Sequence, residues 1–82
     1  MLEEKLLEVI KNMFTVLTHL IDKNMPVEFF EELNLPKFQM LLNFLKNEEF
    51  IVIVKGSDDP YLKITPKGKR FIEDLIMLKE NL

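Results

Sequence analysis

The spacing of apolar residues over positions 2–22 predicts one long amphipathic helix. A first stripe recurs every three or four residues, as one face of a helix requires, at Leu6, Ile10, Met13, Leu17 and Leu20. A second stripe runs beside the first, at Leu7, Phe14 and Ile21. An apolar surface this wide needs cover on two sides. We therefore expect one side of the helix to face its own domain and the other side to face a partner chain.

A short second helix is predicted over residues 27–33. Pro26 ends the preceding pattern, and its fixed φ suits the start of a helix. Phe30 and Leu33 are three residues apart, so both side chains are expected to point inward. The acidic side chains of this segment are expected to face solvent, at Glu28, Glu31 and Glu32.

A third helix is predicted over residues 36–48, with Pro36 at its first position. Four apolar side chains cluster on one face, at Phe38, Leu41, Leu42 and Leu45. At about 100° per residue, the opposite face is polar with little charge and carries Gln39, Met40, Asn43, Lys46 and Asn47. Phe44 lies at the margin of that face. This exposed, hydrogen-bonding face is the surface that a partner molecule would meet.

The pattern of the last third predicts a β-hairpin that leads into a final helix. Residues 50–54 are β-branched or aromatic, and residues 61–64 alternate between polar and apolar types, as strands do. Residues 55–60 between them are rich in turn formers. Thr65 is placed to cap a helix over residues 66–80. The whole pattern predicts an α+β fold.

Length and composition predict a single domain over residues 1–82 that forms a homodimer. With 48% hydrophobic residues in 82 positions, the chain carries more apolar surface than one small core can bury. The predicted helices at 2–22 and 66–80 carry this surplus and are the expected dimerisation elements. The candidate interface residues are Leu7, Phe14, Ile21, Leu75 and Leu78.

Several classes of protein are disfavoured by what the sequence lacks. There is no cysteine for a disulfide or a thiolate metal site, and the longest uncharged stretch is too short to span a membrane. His19 is the single histidine and has no partners for a catalytic set, and two glycines cannot make a phosphate-binding loop. We expect a soluble, cytoplasmic protein that is not an enzyme and that has no cofactor, metal ion or small-molecule ligand.

The distribution of charge is uneven along the chain. The formal net charge is −3, and residues 1–34 hold 7 acidic side chains against 3 basic ones. Because phosphate neutralisation supplies most of the affinity for DNA, a DNA-binding face is normally basic. This chain has enough lysine in its second half for one local basic strip only.

Two segments resemble the small winged helix-turn-helix DNA-binding proteins common among archaea and their viruses and plasmids. Residues 41–51 (LLNFLKNEEFI) are similar to the end of a recognition helix that continues into the first wing strand. Residues 61–68 (YLKITPKG) are similar to the second wing strand and the start of the following helix. The resemblance implies three helices, a two-stranded wing over residues 50–64 and a C-terminal helix.

The resemblance also implies a homodimeric transcriptional regulator that binds double-stranded DNA. The helix at 36–48 would lie in the major groove and the wing on the backbone. The implied base-reading residues are Gln39, Met40, Asn43 and Asn47. The implied phosphate contacts are Lys37, Lys46, Lys55, Lys63, Lys67 and Lys69. Two such helices related by a two-fold axis predict a palindromic site.

Other features point to different functions. Asp58 and Asp59 make the tip of the wing acidic, and the cluster of bases around Arg70 is either surface charge or a phosphate contact. Met40 and Phe44 on one face of the third helix are typical of protein-binding surfaces. A winged-helix protein-interaction module that binds no DNA is therefore the alternative, and an acidic mimic of DNA is a third possibility.

Overall fold

The computed structural model describes residues 2–56 and 59–81, and these residues form an α+β fold. Four helices and three strands follow one another along the chain in the order α1 Leu2–Leu20, β1 Met25–Pro26, α2 Val27–Glu32, α3 Phe38–Asn47, β2 Ile51–Val54, β3 Tyr61–Ile64 and α4 Pro66–Glu80. The α+β class predicted from the sequence is confirmed, and all four predicted helices are present. The bounds of α4 agree with the prediction, and α1 ends two residues earlier than expected.

The sheet has three antiparallel strands in the order β1-β3-β2, whereas the sequence predicted two. β2 pairs with β3 so that Ile51 is opposite Ile64 and Val54 is opposite Tyr61. β1 adds Met25 to the other side of β3, opposite Leu62. A strand of two residues that ends in proline has no periodicity to reveal it. Its pairing fixes the connection between α1 and α2 to the sheet.

The core is formed by the second half of α1, by α2, by α3, by the sheet and by the start of α4. Its fully buried members, by decreasing size, are Phe30, Leu17, Leu20, Leu45, Ile51, Leu62, Ile72 and Val16. The Phe30 ring packs edge-on against Phe29, with 5.2 Å between ring centroids, and stacks on Phe38 at 6.3 Å. Val16 is fully buried although it belongs to neither predicted stripe, because it lies beside the first stripe on the side away from the second.

One prediction of a buried side chain is wrong. Leu33 was expected to point inward, but it follows the last residue of α2 and is 40% exposed. On α1 the single chain buries apolar side chains only in the second half of the helix, and every side chain from residue 3 to residue 10 is exposed. Leu6 and Ile10 therefore face solvent in the single chain.

The predicted start of α3 at Pro36 is also wrong, because the helix begins at Phe38. Lys37 has φ of 53° and ψ of 40°, the left-handed conformation, which cannot continue into a right-handed helix. Phe50, predicted as the first residue of β2, lies in a bend, where its N–H donates to the carbonyl of Leu45 at 2.9 Å. Turns that need a left-handed residue leave no apolar pattern and so shift the predicted boundaries.

The junction between the sheet and α4 depends on Thr65, whose predicted role as N-cap is confirmed. Its hydroxyl oxygen accepts a hydrogen bond from the N–H of Gly68 at 3.0 Å. The same hydroxyl donates to the carbonyl of Glu49, and the N–H of Thr65 donates to the carbonyl of Phe50 at 3.0 Å. One side chain therefore ties the start of α4 to the loop after α3.

Replacing Thr65 with alanine is expected to lower the free energy of unfolding by about 1–2 kcal/mol, because the helix loses its cap and the Glu49 carbonyl loses its donor. Urea denaturation of the wild-type and Thr65→Ala chains measures this difference. Thr15→Ala is the matched control, since the Thr15 hydroxyl bonds only to the Lys11 carbonyl of its own helix. The control is expected to change stability by less than about 0.5 kcal/mol. Equal effects of the two substitutions would contradict the prediction.

Candidate nucleic-acid interface

Three amide side chains form a single line along the outer face of α3, which we call the polar row: Gln39, Asn43 and Asn47. The row is exposed because Leu41, Leu42 and Leu45 hold the opposite face of the helix in the core. The spacing of four residues places the amides about 6 Å apart. The row therefore covers about 12 Å, comparable to three or four stacked base pairs at about 3.4 Å each. None of the three side chains has a hydrogen-bond partner among the described residues.

Met40 and Phe44 lie on a different edge of the same helix, which we call the apolar edge. Met40 is 67% exposed and Phe44 is 45% exposed. Together with Val9 of α1 and Pro36, they line an open groove of about 450 Å³ between α1 and α3. The outer surface of α3 is thus divided into a hydrogen-bonding row and an apolar edge. Met40, predicted as a base-reading residue, belongs to the apolar edge.

Three basic side chains from separate elements meet around a shallow depression that we call the basic cleft: Lys46, Lys67 and Arg70. Lys46 comes from the end of α3 and the other two from the first turns of α4, and Val52 forms part of the floor. Glu49 also lines the depression, so its formal charge is +2. None of the three bases forms an ion pair with another described residue. Lys67 lies over the Phe50 ring, with Nζ 5.3 Å from the centroid.

The remaining predicted phosphate contacts lie elsewhere. Lys37 lines the groove between α1 and α3. Lys63 is opposite Val52 in the sheet, so it shares the exposed face that leads to the basic cleft. Lys55 is exposed just beyond β2. Lys69 is exposed on α4 and does not line the basic cleft.

The acidic tip predicted for the wing is described only in part. Asp59 is exposed after the end of β2, and Asp58 lies outside the described residues. The hairpin pairs Ile51 with Ile64 at its base and Val54 with Tyr61 at its far end. At about 3.3 Å per residue, the acidic loop is separated from the base of the hairpin by about 10 Å.

Of the five predicted interface residues, only two are exposed. Leu7 is 66% exposed and Leu78 is 63% exposed. The other three are partly buried against the core of their own chain, at Phe14, Ile21 and Leu75. The Nζ of Lys79 lies 5.0 Å from the centroid of the Phe14 ring, so the end of α4 lies beside the middle of α1. The exposed apolar side chains in the first half of α1 therefore lie next to the end of α4.

The side chain of His19 contacts a backbone carbonyl of its own helix and an aromatic ring of α2. Its Nδ1 lies 2.7 Å from the carbonyl oxygen of Thr15, and its ring centroid is 5.2 Å from that of Phe29. No group of three His, Cys, Asp or Glu side chains able to hold a metal ion is present within the described part of the chain. None of the helices described has the length and apolar character needed to cross a membrane.

Sequence reasoning grouped Arg70 with Lys67 and Lys69 but did not predict that Lys46 would lie beside Lys67 and Arg70. The available signal was the spacing of three residues between Lys67 and Arg70, which places both on one side of α4. Their proximity to the end of α3 depends on long-range packing, so no local pattern could have shown it. Comparison of the chain with models of protein families, with curated proteins and with solved structures finds no match to any of them.

Proposed function

We propose that the chain is a homodimeric winged helix-turn-helix protein that binds a specific site on double-stranded DNA and regulates transcription. The order of elements supports this proposal, because α2 and α3 are joined by residues 33–37 and are followed by the hairpin of β2 and β3. In this proposal α3 lies in the major groove and the hairpin is the wing. The resemblance to small archaeal and viral regulators suggests a cytoplasmic protein of that kind.

The polar row is the observation that carries the proposal. Asparagine and glutamine side chains bond to adenine through two hydrogen bonds, to N6 and N7. Gln39, Asn43 and Asn47 are exposed and have no partner within the described part of the chain, so their amides are available to base edges.

The charge of the chain determines what kind of binding is expected. The net charge of −3 and the acidic first third oppose binding to any duplex regardless of sequence. A few phosphate contacts at one basic strip would position the protein on its site but would not support tight binding to DNA of any sequence. Specific binding with a shallow dependence on salt is therefore expected.

Replacing Asn43 with alanine is expected to weaken binding to the preferred duplex by about 10-fold or more, because a bidentate contact to a base is worth about 1–3 kcal/mol. Asn43 occupies the centre of the polar row and is exposed, so the fold should be unaffected. Fluorescence anisotropy measures the affinity, using a duplex enriched from a random pool by the wild-type protein.

Asn24→Ala is the control for this experiment. Asn24 is equally exposed but lies between α1 and β1, away from α3. The control is expected to bind the enriched duplex as the wild-type protein does. Unchanged binding by Asn43→Ala would contradict the role of the polar row, and no enrichment from the pool would contradict the proposed function itself.

A second candidate function is supported by the groove beside the apolar edge. Met40, Phe44 and Val9 line this groove together with two lysines and one acid, Lys5, Lys37 and Glu8, so its surroundings carry a formal charge of +1. An amphipathic helix of another protein, with acidic residues beside its apolar face, would be complementary to this surface. This function predicts that Met40→Ala reduces partner binding while Asn43→Ala leaves it unchanged, the reverse of the ranking expected for duplex DNA.

A further inference from the structure

The basic cleft raises a question about how DNA would be held, since the acidic tip of the hairpin is unsuited to phosphate. Three cations close to one another repel, and no described acid forms an ion pair with any of them. Apart from the contact of Lys67 with the Phe50 ring, the arrangement therefore gives the chain no stabilising interaction among the described residues. A group that brings negative charge to the cleft would relieve the repulsion.

We propose that the basic cleft, formed by Lys46, Lys67 and Arg70, binds a phosphate group of the duplex backbone and is the main backbone clamp of the protein. This inference rests on the proposed function, because it identifies where the DNA strand beside α3 is held. It also assigns a binding role to Arg70, the single arginine of the chain.

The chemistry of the cleft suits a phosphate diester. The guanidinium of Arg70 offers a planar set of donors that matches two phosphate oxygens, and the two ammonium groups add charge from either side. The depression is shallow and open, which suits a group on the surface of a duplex. Glu49 also lines it, so the net charge of +2 is moderate and favours one phosphate at a time.

The position of the cleft relative to α3 gives the path of the DNA strand. Lys46 follows Asn43 of the polar row by three residues, so the two side chains are neighbours on the surface of α3 and the cleft begins beside the row. A strand whose bases face the polar row would pass its phosphates along the Lys46 side of the helix. The cleft lies at the base of the hairpin, away from the acidic loop. This path keeps Asp59 clear of the backbone.

The test compares the salt dependence of duplex binding for the wild-type chain and the double variant Lys67→Ala, Arg70→Ala. Each lost phosphate contact is expected to reduce the slope of log K against log salt by about 0.9, so the double variant, which loses the one phosphate held in the cleft, should lose about one unit of slope. The enriched duplex and a mismatched duplex should weaken by the same factor, because phosphate contacts carry no sequence information.

Lys23→Ala is the control, since it removes a positive charge from an exposed position between α1 and β1, outside the cleft and outside the predicted phosphate contacts. Its slope should equal that of the wild-type chain. Circular dichroism should show that all three proteins are folded at the assay temperature, because the replaced side chains are exposed; the double variant should unfold at a slightly lower temperature, because Lys67 lies over the Phe50 ring. The proposal is overturned if the double variant keeps the slope of the control, or if only the enriched duplex is weakened.

A second measurement keeps the proposal testable if the wild-type chain binds no duplex, an outcome that would reject the proposed function. The Nε–H of Arg70 gives a single arginine resonance in NMR spectra, because the chain has one arginine. Saturable movement of this resonance on titration with inorganic pyrophosphate would support an anion site that serves a ligand other than DNA. Movement no larger than that caused by sodium chloride at equal ionic strength would then reject the site.

Discussion

Gly68→Ala is expected to destabilise the chain by about 3 kcal/mol or more, since it forces a methyl group into a packed junction. Gly68 is buried in the first turn of α4. A Cβ there would meet the carbonyl oxygen of Phe50 far inside van der Waals contact, and would lie 2.9 Å from the carbonyl carbon and 3.0 Å from Cγ1 of Ile64. Because the obstacle is main chain, no change of rotamer can relieve it.

The clash would also disturb the hydrogen bonds of the junction. The carbonyl of Phe50 accepts from the N–H of Thr65, and the N–H of Gly68 donates to the Thr65 hydroxyl. Moving α4 away from Phe50 would weaken both. For a chain of this size, a loss of about 3 kcal/mol corresponds to a fall of at least about 12 °C in Tm, measured by circular dichroism.

Gly56→Ala provides the control, because it makes the same chemical change in open space. A Cβ at Gly56 would have only the Cε1 atom of Tyr61 near it, at 4.0 Å. The loss of flexibility in the unfolded chain would make this variant neutral or more stable by up to about 1 kcal/mol. A stable Gly68→Ala protein would show that α4 packs against Phe50 less closely than described.

The helices and the hairpin follow from local chemistry, which is why their existence could be predicted. Apolar periodicity identifies α1 and α3, and Thr65 followed by Pro66 marks the start of α4. The strand β1 could not be predicted, since two residues carry no period. The left-handed conformation of Lys37 is equally invisible, because lysine has no preference for it.

The candidate site was predictable at the level of one helix and not beyond it. The outward direction of Asn43 follows from helix geometry alone. The division between that row and the apolar edge of Met40 depends on α1 lying alongside. The meeting of Lys46 with Arg70 likewise depends on the tertiary packing that places the start of α4 beside the end of α3. Properties of one element come from its sequence, whereas properties shared by two elements come from the tertiary fold.

Leu78→Glu is expected to convert a homodimer into a monomer and to weaken binding to a palindromic duplex by at least about 100-fold, since avidity is lost. Leu78 is exposed near the end of α4, which lies beside Phe14 in the middle of α1. The neighbouring turns of α1 expose Leu7 and Ile10. An uncovered apolar surface formed by two helices is expected to associate with its own copy through a two-fold axis.

Light scattering coupled to gel filtration measures the mass, which should fall from twice the 9.8 kDa of one chain to that of a single chain. Met40→Glu is the control, because Met40 is exposed to a similar degree but lies on α3. It places the same charge on an apolar position outside the proposed interface, so the dimer should persist. A monomeric wild-type chain would contradict the proposed dimer, while dissociation by Met40→Glu alone would move the interface to the groove between α1 and α3. If Leu78→Glu is a monomer and Met40→Glu remains a dimer, the interface lies on α1 and α4. The polar row on α3 of each copy in the wild-type dimer is then free to face the DNA.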